Sequence, residues 1–130
     1  MKLFFKSKDG GPESNVTGYW LIESKSLFSV ALLKFSKGSR DAFHTHAFNS
    51  VSWVLSGWLF EELLHTYVGK YLEPSILPVY TSRNRMHRVH GLLKTSWILT
   101  FRGPWSKTWQ EYKDNIGFTT LINGRKIVTE

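Results

Sequence analysis

Residues 38–57 read GSRDAFHTHAFNSVSWVLSG, and this stretch decides the predicted fold. It begins at Gly38 and ends at Gly57, with His44 and His46 between the two glycines. Residues two apart on a strand point to the same face, so both imidazoles would reach one point. Imidazole is a common ligand of Zn, Fe, Ni and Cu. Because an isolated His-x-His pair is also typical of surface histidines, the wider spacing has to decide between these interpretations.

The rest of the chain predicts a single all-β domain. From Gly18 onward, short aromatic or β-branched runs alternate with turn residues, a pattern typical of an antiparallel β-sandwich or barrel. Residues 61–72, EELLHTYVGKYL, could be mistaken for a helix, but their neighbours favour a strand and a turn at Gly69. The dipeptide Asn123-Gly124 predicts a C-terminal hairpin. We expect residues 1–16 to form a flexible N-terminal arm and residues 17–130 to form the barrel.

Composition excludes several classes of site. The 130 residues contain no cysteine, which rules out disulfides, thiolate metal ligands and a thiol nucleophile. The N-terminus does not resemble a signal peptide, and no apolar run approaches the roughly 18 residues of a membrane span. We therefore expect a cytoplasmic protein with no membrane partner.

The net charge of +7 favours anionic partners. The densest basic patch contains Arg83, Arg85 and Arg88, but no run of five cations occurs. General surface charge is one interpretation of this balance. The other is that an arginine, with Arg85 as first choice, binds an anionic ligand.

The spacing of the opening stretch resembles the first motif of the cupin superfamily, G-x5-H-x-H-x3-E-x6-G. Gly38, His44, His46 and Gly57 all fit in register, while Ser50 stands at the position of the family's glutamate. The resemblance implies a β-sandwich barrel of the jelly-roll type, with a metal ion in its mouth.

A second cupin motif, G-x5-P-x-G-x2-H-x3-N, is matched more loosely. Its histidine falls on His87, while Asn84 stands at the turn glycine and Gly91 at the final asparagine. His87 and His90 lie three apart and so face opposite sides of a strand, and the cupin register favours His87 as the inward residue. His65 is interpreted as a surface histidine.

Within the superfamily, the chain is similar to small single-domain cupins, including uncharacterised ones of bacteria and phages. The shared features are the run from His44 to Asn49 and the later SWILTFRGPW. The His87-Arg88-Val89 run also resembles thiol dioxygenases, which have a three-histidine iron site. The catalytic positions of those enzymes match Ile98 and Thr100 here, so a thiol substrate does not follow.

The resemblance implies one divalent metal ion held by His44, His46 and His87, with iron as first choice and Zn, Ni or Mn as alternatives. Asn49 and Ser50 are candidates for a weak oxygen ligand or a hydrogen bond to an imidazole.

Charged side chains supply the remaining candidates. Arg85 and Arg102 are candidate anion-binding residues. Glu61 and Glu62 are adjacent on a predicted strand, so one of them faces inward and is a candidate acid or base.

Three functions compete at this point. The first is an Fe(II)-dependent dioxygenase acting on a small anionic substrate, and the second is a non-catalytic module that binds a small anionic ligand or a sugar. A nucleic-acid partner is the least favoured, because no recognised motif accompanies the basic charge. The oligomeric state stays open, with a homodimer as the form that cupins commonly adopt.

Overall fold

The computed structural model describes residues 1–10, 14–39, 43–64, 69–106, 108–113, 117–122 and 126–127. Within these ranges there are twelve strands and no helix. The strands are β1 Lys2–Lys8, β2 Val16–Glu23, β3 Ser29–Gly38, β4 Phe43–His44, β5 Ser50–Ser56, β6 Leu59–Leu63, β7 Gly69–Leu72, β8 Val79–Thr81, β9 His87–Arg102, β10 Thr108–Lys113, β11 Gly117–Ile122 and β12 Lys126–Ile127. All their pairings are antiparallel, which agrees with the prediction of an all-β sandwich or barrel.

The longest strand, β9, organises the sheet. Its 16 residues pair with β3 over most of their length and with β5 from Trp97 to Arg102. Nearer its start, β9 pairs with β6, and His87 pairs with His44 of β4. The strand therefore brings the second predicted histidine motif directly against the first.

Alternation along β9 separates the interior of the barrel from its outer surface. Ser96, Ile98, Thr100 and Arg102 are buried, whereas Phe101 between the last two is exposed. This period of two is the ordinary consequence of strand geometry. The core continues from Ile98 into buried residues of the neighbouring strands: Val16, Trp20, Ala31, Leu33, Phe35, Val54 and Leu59.

The N-terminal arm predicted for residues 1–16 differs from the structure. Lys2–Lys8 forms a strand at the edge of the sheet, and all but one of its residues pair with residues of β2. Phe5 stacks on Trp20 with ring centroids 5.8 Å apart and planes only 12° from parallel. The polar residues 8–16 suggested an arm, but they follow the strand. The position of β1 depends on its pairing with β2 and on the Trp20 ring, which its own sequence does not reveal.

The two motif glycines have backbone conformations that other residues would adopt only with strain. Gly38 has a φ of +104° at the end of β3, and Gly57 has a φ of +99° between β5 and β6. A Cβ atom on Gly57 would lie 2.1 Å from Ser96 Oγ and 2.6 Å from Ser96 Cα. Both conformation and space therefore require glycine at position 57.

The C-terminal strands β11 and β12 pair with each other, with Ile122 opposite Lys126. The predicted turn at Asn123-Gly124 lies outside the described residues. Among the described residues, no helix is long and apolar enough to cross a membrane.

Candidate metal centre

His44 and His46 come from the short strand β4 and the residues after it. His44 ends β4 and pairs with Glu111 on one side and His87 on the other. His46 follows the strand, and its backbone N–H donates to the carbonyl of Arg83. The predicted shared face therefore arises at a strand end, where pairing with two neighbouring strands positions the backbone.

The imidazoles of His44, His46 and His87 converge on one point. Their ring centroids are 4.9 Å, 4.9 Å and 5.0 Å apart, and the rings are steeply inclined to one another. One ring nitrogen from each lies within 4.8 Å of the others. Metal–nitrogen bonds of about 2.0–2.1 Å require the three nitrogens to lie within about 4 Å of one another, so small side-chain rotations would complete the site.

The carboxylate of Glu61 fixes the orientation of the His87 ring, on the side of the ring away from the other two histidines. Its Nδ1 lies 2.6 Å from Glu61 Oε2, and both side chains are buried. Burial raises the pKa of Glu61, but the hydrogen bond from His87 and the charges of His87 and Arg85 lower it, and its pKa stays below the ordinary carboxyl value. An ionised carboxylate only accepts hydrogen bonds, so in the neutral imidazole Nδ1 carries the proton and the Nε2 lone pair is available to a metal ion.

The side chains of Glu61 and Glu62 do not line the cavity, so neither is positioned as an acid or base for a ligand there. Glu61 faces inward, as expected for one of the two, but it contacts the back of His87. Glu62 faces the other side of the sheet, where its carboxylate accepts hydrogen bonds from Arg88 and contacts His90. His90 thus points away from the three-histidine cluster, because strand alternation sends it to the opposite face. His65 lies outside the described residues.

Asn49 and Ser50 lie in different environments, and only Ser50 lines the cavity. The Asn49 side chain is exposed, and its Oδ1 accepts a hydrogen bond from the backbone N–H of Arg83 at 2.8 Å. Its carbonyl accepts another from Gly103 at 2.9 Å. Asn49 therefore fixes the loops behind the site, whereas Ser50 is buried and lines the cavity beside the histidines.

The two candidate arginines also differ from expectation. Arg85 does not line the cavity, and its Nη1 lies 3.4 Å from Glu61 Oε1. Arg102 does line it, but its Nη1 and Nη2 lie 3.1 Å and 2.6 Å from the two carboxylate oxygens of Asp9. The guanidinium of Arg102 also lies over the rings of Trp20 and Phe48. Its charge is therefore matched within the protein.

A cavity of about 490 Å³ adjoins the three histidines. Its volume is typical of a site for a small molecule. Five aromatic side chains line the cavity, together with the positive charges of Lys8 and Lys25 and the negative charges of Asp9 and Glu23. The aromatic lining residues are Trp20, Phe35, Phe48, Trp105 and Trp109.

Asp9 and Trp109 were missed by reasoning from the sequence. Asp9 contacts Arg102 across 93 residues, so no local pattern could have linked the two. Trp109 alternates with exposed neighbours in β10, which is a signal that a strand has one inward face.

Comparison with known proteins shows similarity at the level of structure. No protein-family model and no curated protein sequence matches the chain. A solved structure described as a sugar phosphate isomerase from a cupin superfamily, from Silicibacter pomeroyi, covers 99% of this chain and 97% of its own. It has a TM-score of 0.60 and 13% identity. The chain has the cupin fold.

Other proteins with similar structures have different names and sources. The polyketide cyclase RemF from Streptomyces resistomycificus has a TM-score of 0.64 and 16% identity, covering 77% of this chain and 73% of its own. A structure described as Fe(II) HppE has a TM-score of 0.61 and 13% identity, covering 76% of this chain and 55% of its own. At such identities the likeness to other cupin folds establishes architecture alone.

Proposed function

We propose that this protein is a small metal-binding cupin that acts as an Fe(II)-dependent dioxygenase on a small anionic substrate. The observation that carries the proposal is the cluster of His44, His46 and His87 beside a cavity, with His87 oriented by Glu61. A metal ion bound by only three imidazoles keeps open coordination positions for water or substrate.

The charge of such a site favours an anionic substrate. Three neutral imidazoles do not compensate a divalent ion, so an anion gains electrostatic stabilisation on binding beside it. Lys8 and Lys25 in the cavity wall act in the same direction, and the single carboxylate of Glu23 opposes them. The two lysines would attract and orient the substrate, and bound iron would supply the oxygen chemistry.

Iron is the first choice of metal, with Zn, Ni and Mn as alternatives that the same imidazoles would accept. The similar structure of HppE, which is an Fe(II) form, supports this choice. Imidazole by itself does not select one of these ions strongly. We also propose a cytoplasmic location, in keeping with a chain that has no cysteine.

A non-catalytic module that binds a small anionic ligand or a sugar is the second candidate. It is favoured by the placement of Glu61 and Glu62, since neither lines the cavity and neither can exchange a proton with a ligand there. Under this proposal the ion would hold the ligand without transforming it.

Metal content of five proteins tests the site. Wild type, His44→Ala, His46→Ala and His87→Ala are each incubated anaerobically with Fe(II), desalted and analysed by mass spectrometry, with His90→Ala as the matched control. We expect wild type and His90→Ala to retain about one ion each, and the other three to lose most of it. Equal metal content in all five would contradict the site.

Oxygen consumption separates the two functions. The iron-loaded wild type is incubated with a panel of small carboxylates, and uptake is followed with an oxygen electrode. Uptake that depends on one acid and is lost in His87→Ala supports the dioxygenase. Binding of an acid without oxygen uptake supports the non-catalytic module.

A further inference from the structure

A row of aromatic rings runs from the metal centre along the cavity wall. The ring of His46 lies 5.2 Å from that of Phe48, which lies 5.4 Å from Trp105. Trp105 in turn lies 5.8 Å from Trp109. All four residues line the same cavity, so one wall presents a continuous aromatic surface that begins at a candidate metal ligand.

This wall is fixed in position by the backbone around it. The backbone N–H of Trp105 donates to the carbonyl of Lys25 at 2.7 Å, and that of Ser106 donates to the carbonyl of Ala47 at 2.5 Å. Phe48 is only 6% exposed. The backbone that carries Trp105 and the buried ring of Phe48 are therefore held in place before any ligand arrives, which reduces the entropy cost of binding against them.

Two polar groups accompany the aromatic wall. The Nε1 atom of Trp105 is buried and has no hydrogen-bond partner among the described residues. Because this atom is buried, Trp105 presents its ring rather than its N–H to the cavity. The ammonium of Lys25 lies 4.7 Å from the Trp105 ring centroid and so places positive charge beside the same ring.

Several hydroxyl groups of the cavity are already bonded within the protein. Ser7 Oγ accepts from Trp20 Nε1, and Ser52 Oγ donates to Thr100 Oγ1. Thr45 Oγ1 accepts from the backbone N–H of Gln110. These bonds fix the orientation of the hydroxyls, while the continuous ring faces and the Lys25 ammonium favour a flat, unsaturated anion as the ligand.

We infer that the cavity binds a planar aromatic carboxylate, whose ring packs against Phe48 and Trp105 and whose carboxylate lies toward Lys25. Adjacent oxygen atoms at the other end of the ring would face His46 and its partner histidines. This inference names the class of ligand for the proposed metal site, and only the oxygen-binding end of it rests on that proposal.

Calorimetric titration of zinc-loaded protein tests the ligand class. Zinc avoids oxidation of the probe, which is 3,4-dihydroxybenzoate, and malate is the aliphatic comparison. We expect Trp105→Leu to weaken binding of the aromatic probe about tenfold or more, the magnitude typical of lost ring stacking. Binding of malate and zinc content should not change.

Trp53→Leu is the matched control, because Trp53 packs against Phe101 on the outer surface and does not line the cavity. It should leave binding of both probes unchanged. Trp105→Phe keeps a ring but removes the N–H donor, and we expect it to retain most of the affinity. Melting temperatures establish that each variant is folded, and Trp109→Leu replaces Trp105→Leu if the latter does not fold.

Titration of metal-free protein with 2-naphthoate separates this inference from the metal proposal, since that probe has no adjacent oxygen donors on its ring. Binding that weakens in Trp105→Leu supports the aromatic site even if wild type holds no metal. Metal retention without any preference for aromatic probes would overturn the inference while leaving the metal site intact. Tighter binding of glucuronate than of either aromatic acid would also overturn it and assign the cavity to a sugar acid.

Discussion

The carboxylate of Glu61 lies behind His87 and determines which imidazole nitrogen faces the other histidines. Glu61→Gln retains the shape of the side chain but removes its negative charge and its constraint on the tautomer. We expect metal affinity to fall about 10- to 100-fold, as is common when such a partner is lost. Competition with a zinc-binding dye measures the change.

Glu62→Gln is the control for this prediction, because Glu62 is the next residue in the chain but its side chain faces the opposite side of the sheet. It should leave zinc affinity unchanged. An equal loss of affinity in both variants would mean that general charge, rather than orientation of His87, explains the effect.

The pKa of Glu62 supports a prediction about pH. Burial raises this pKa, but hydrogen bonds with His90 and Arg88 lower it, and the net pKa is below the ordinary carboxyl value. A lowered pKa in the folded state contributes stability above the unfolded pKa, and this contribution disappears as pH falls through the folded value. Because Glu62 is partly exposed, its contribution is at most about 1 kcal/mol.

We therefore expect Glu62→Gln to lower the free energy of unfolding slightly at pH 7, and by less at an acid pH low enough to protonate the folded carboxylate. Urea unfolding at both pH values measures the difference. A deficit that persists unchanged in acid would show that packing, rather than charge, accounts for it.

At the scale of elements, the pair of Asp9 and Arg102 joins the segment after β1 to the end of β9. Asp9→Ala would leave the buried guanidinium of Arg102 without its carboxylate. Losing one partner of a fully buried pair costs roughly 3–5 kcal/mol. Since the Asp9 side chain is 25% exposed, we expect a smaller loss, about 1–3 kcal/mol in urea unfolding.

Glu73→Ala removes a carboxylate from an exposed position and serves as the comparison. It should change the free energy of unfolding by less than about 0.5 kcal/mol. If both variants unfold at the same urea concentration, the contact between Asp9 and Arg102 does not hold the N-terminal strand to the barrel.

At the scale of the whole molecule, the core is built without a contribution from a metal ion. Its buried cluster contains eight hydrophobic residues drawn from β2, β3, β5, β6 and β9. We therefore expect chelation to leave the β-type circular dichroism spectrum unchanged and to lower only the melting temperature. A metal at 100 times its dissociation constant stabilises the folded state by about 2.7 kcal/mol.

Thermal unfolding with zinc and with a chelator measures this difference, and His87→Ala is the control that should show none. Loss of the β spectrum on chelation would contradict the prediction, because it would mean that the ion is needed for folding.

Local sequence predicted the fold class, and the resemblance to the cupin motifs predicted the three histidines that converge. Strand alternation depends only on backbone geometry, so the residues around His44 and His87 are informative without knowledge of their neighbours. The roles of Gly38 and Gly57 could also be predicted locally. Glycine is the residue that adopts a positive φ without strain, and both positions have one. The cupin spacing joined these local signals into one prediction, and the fold agrees with it.

Tertiary structure alone decided what surrounds the histidines. It directed Glu61 to His87, placed Arg85 beside Glu61, and matched Arg102 with Asp9. It also placed residues from the predicted N-terminal arm in strand β1, where Phe5 stacks on Trp20 of β2. Each of these contacts joins residues far apart in the chain, and their energy depends on distance and burial. Neither quantity exists until the strands have packed, so no local pattern could contain them.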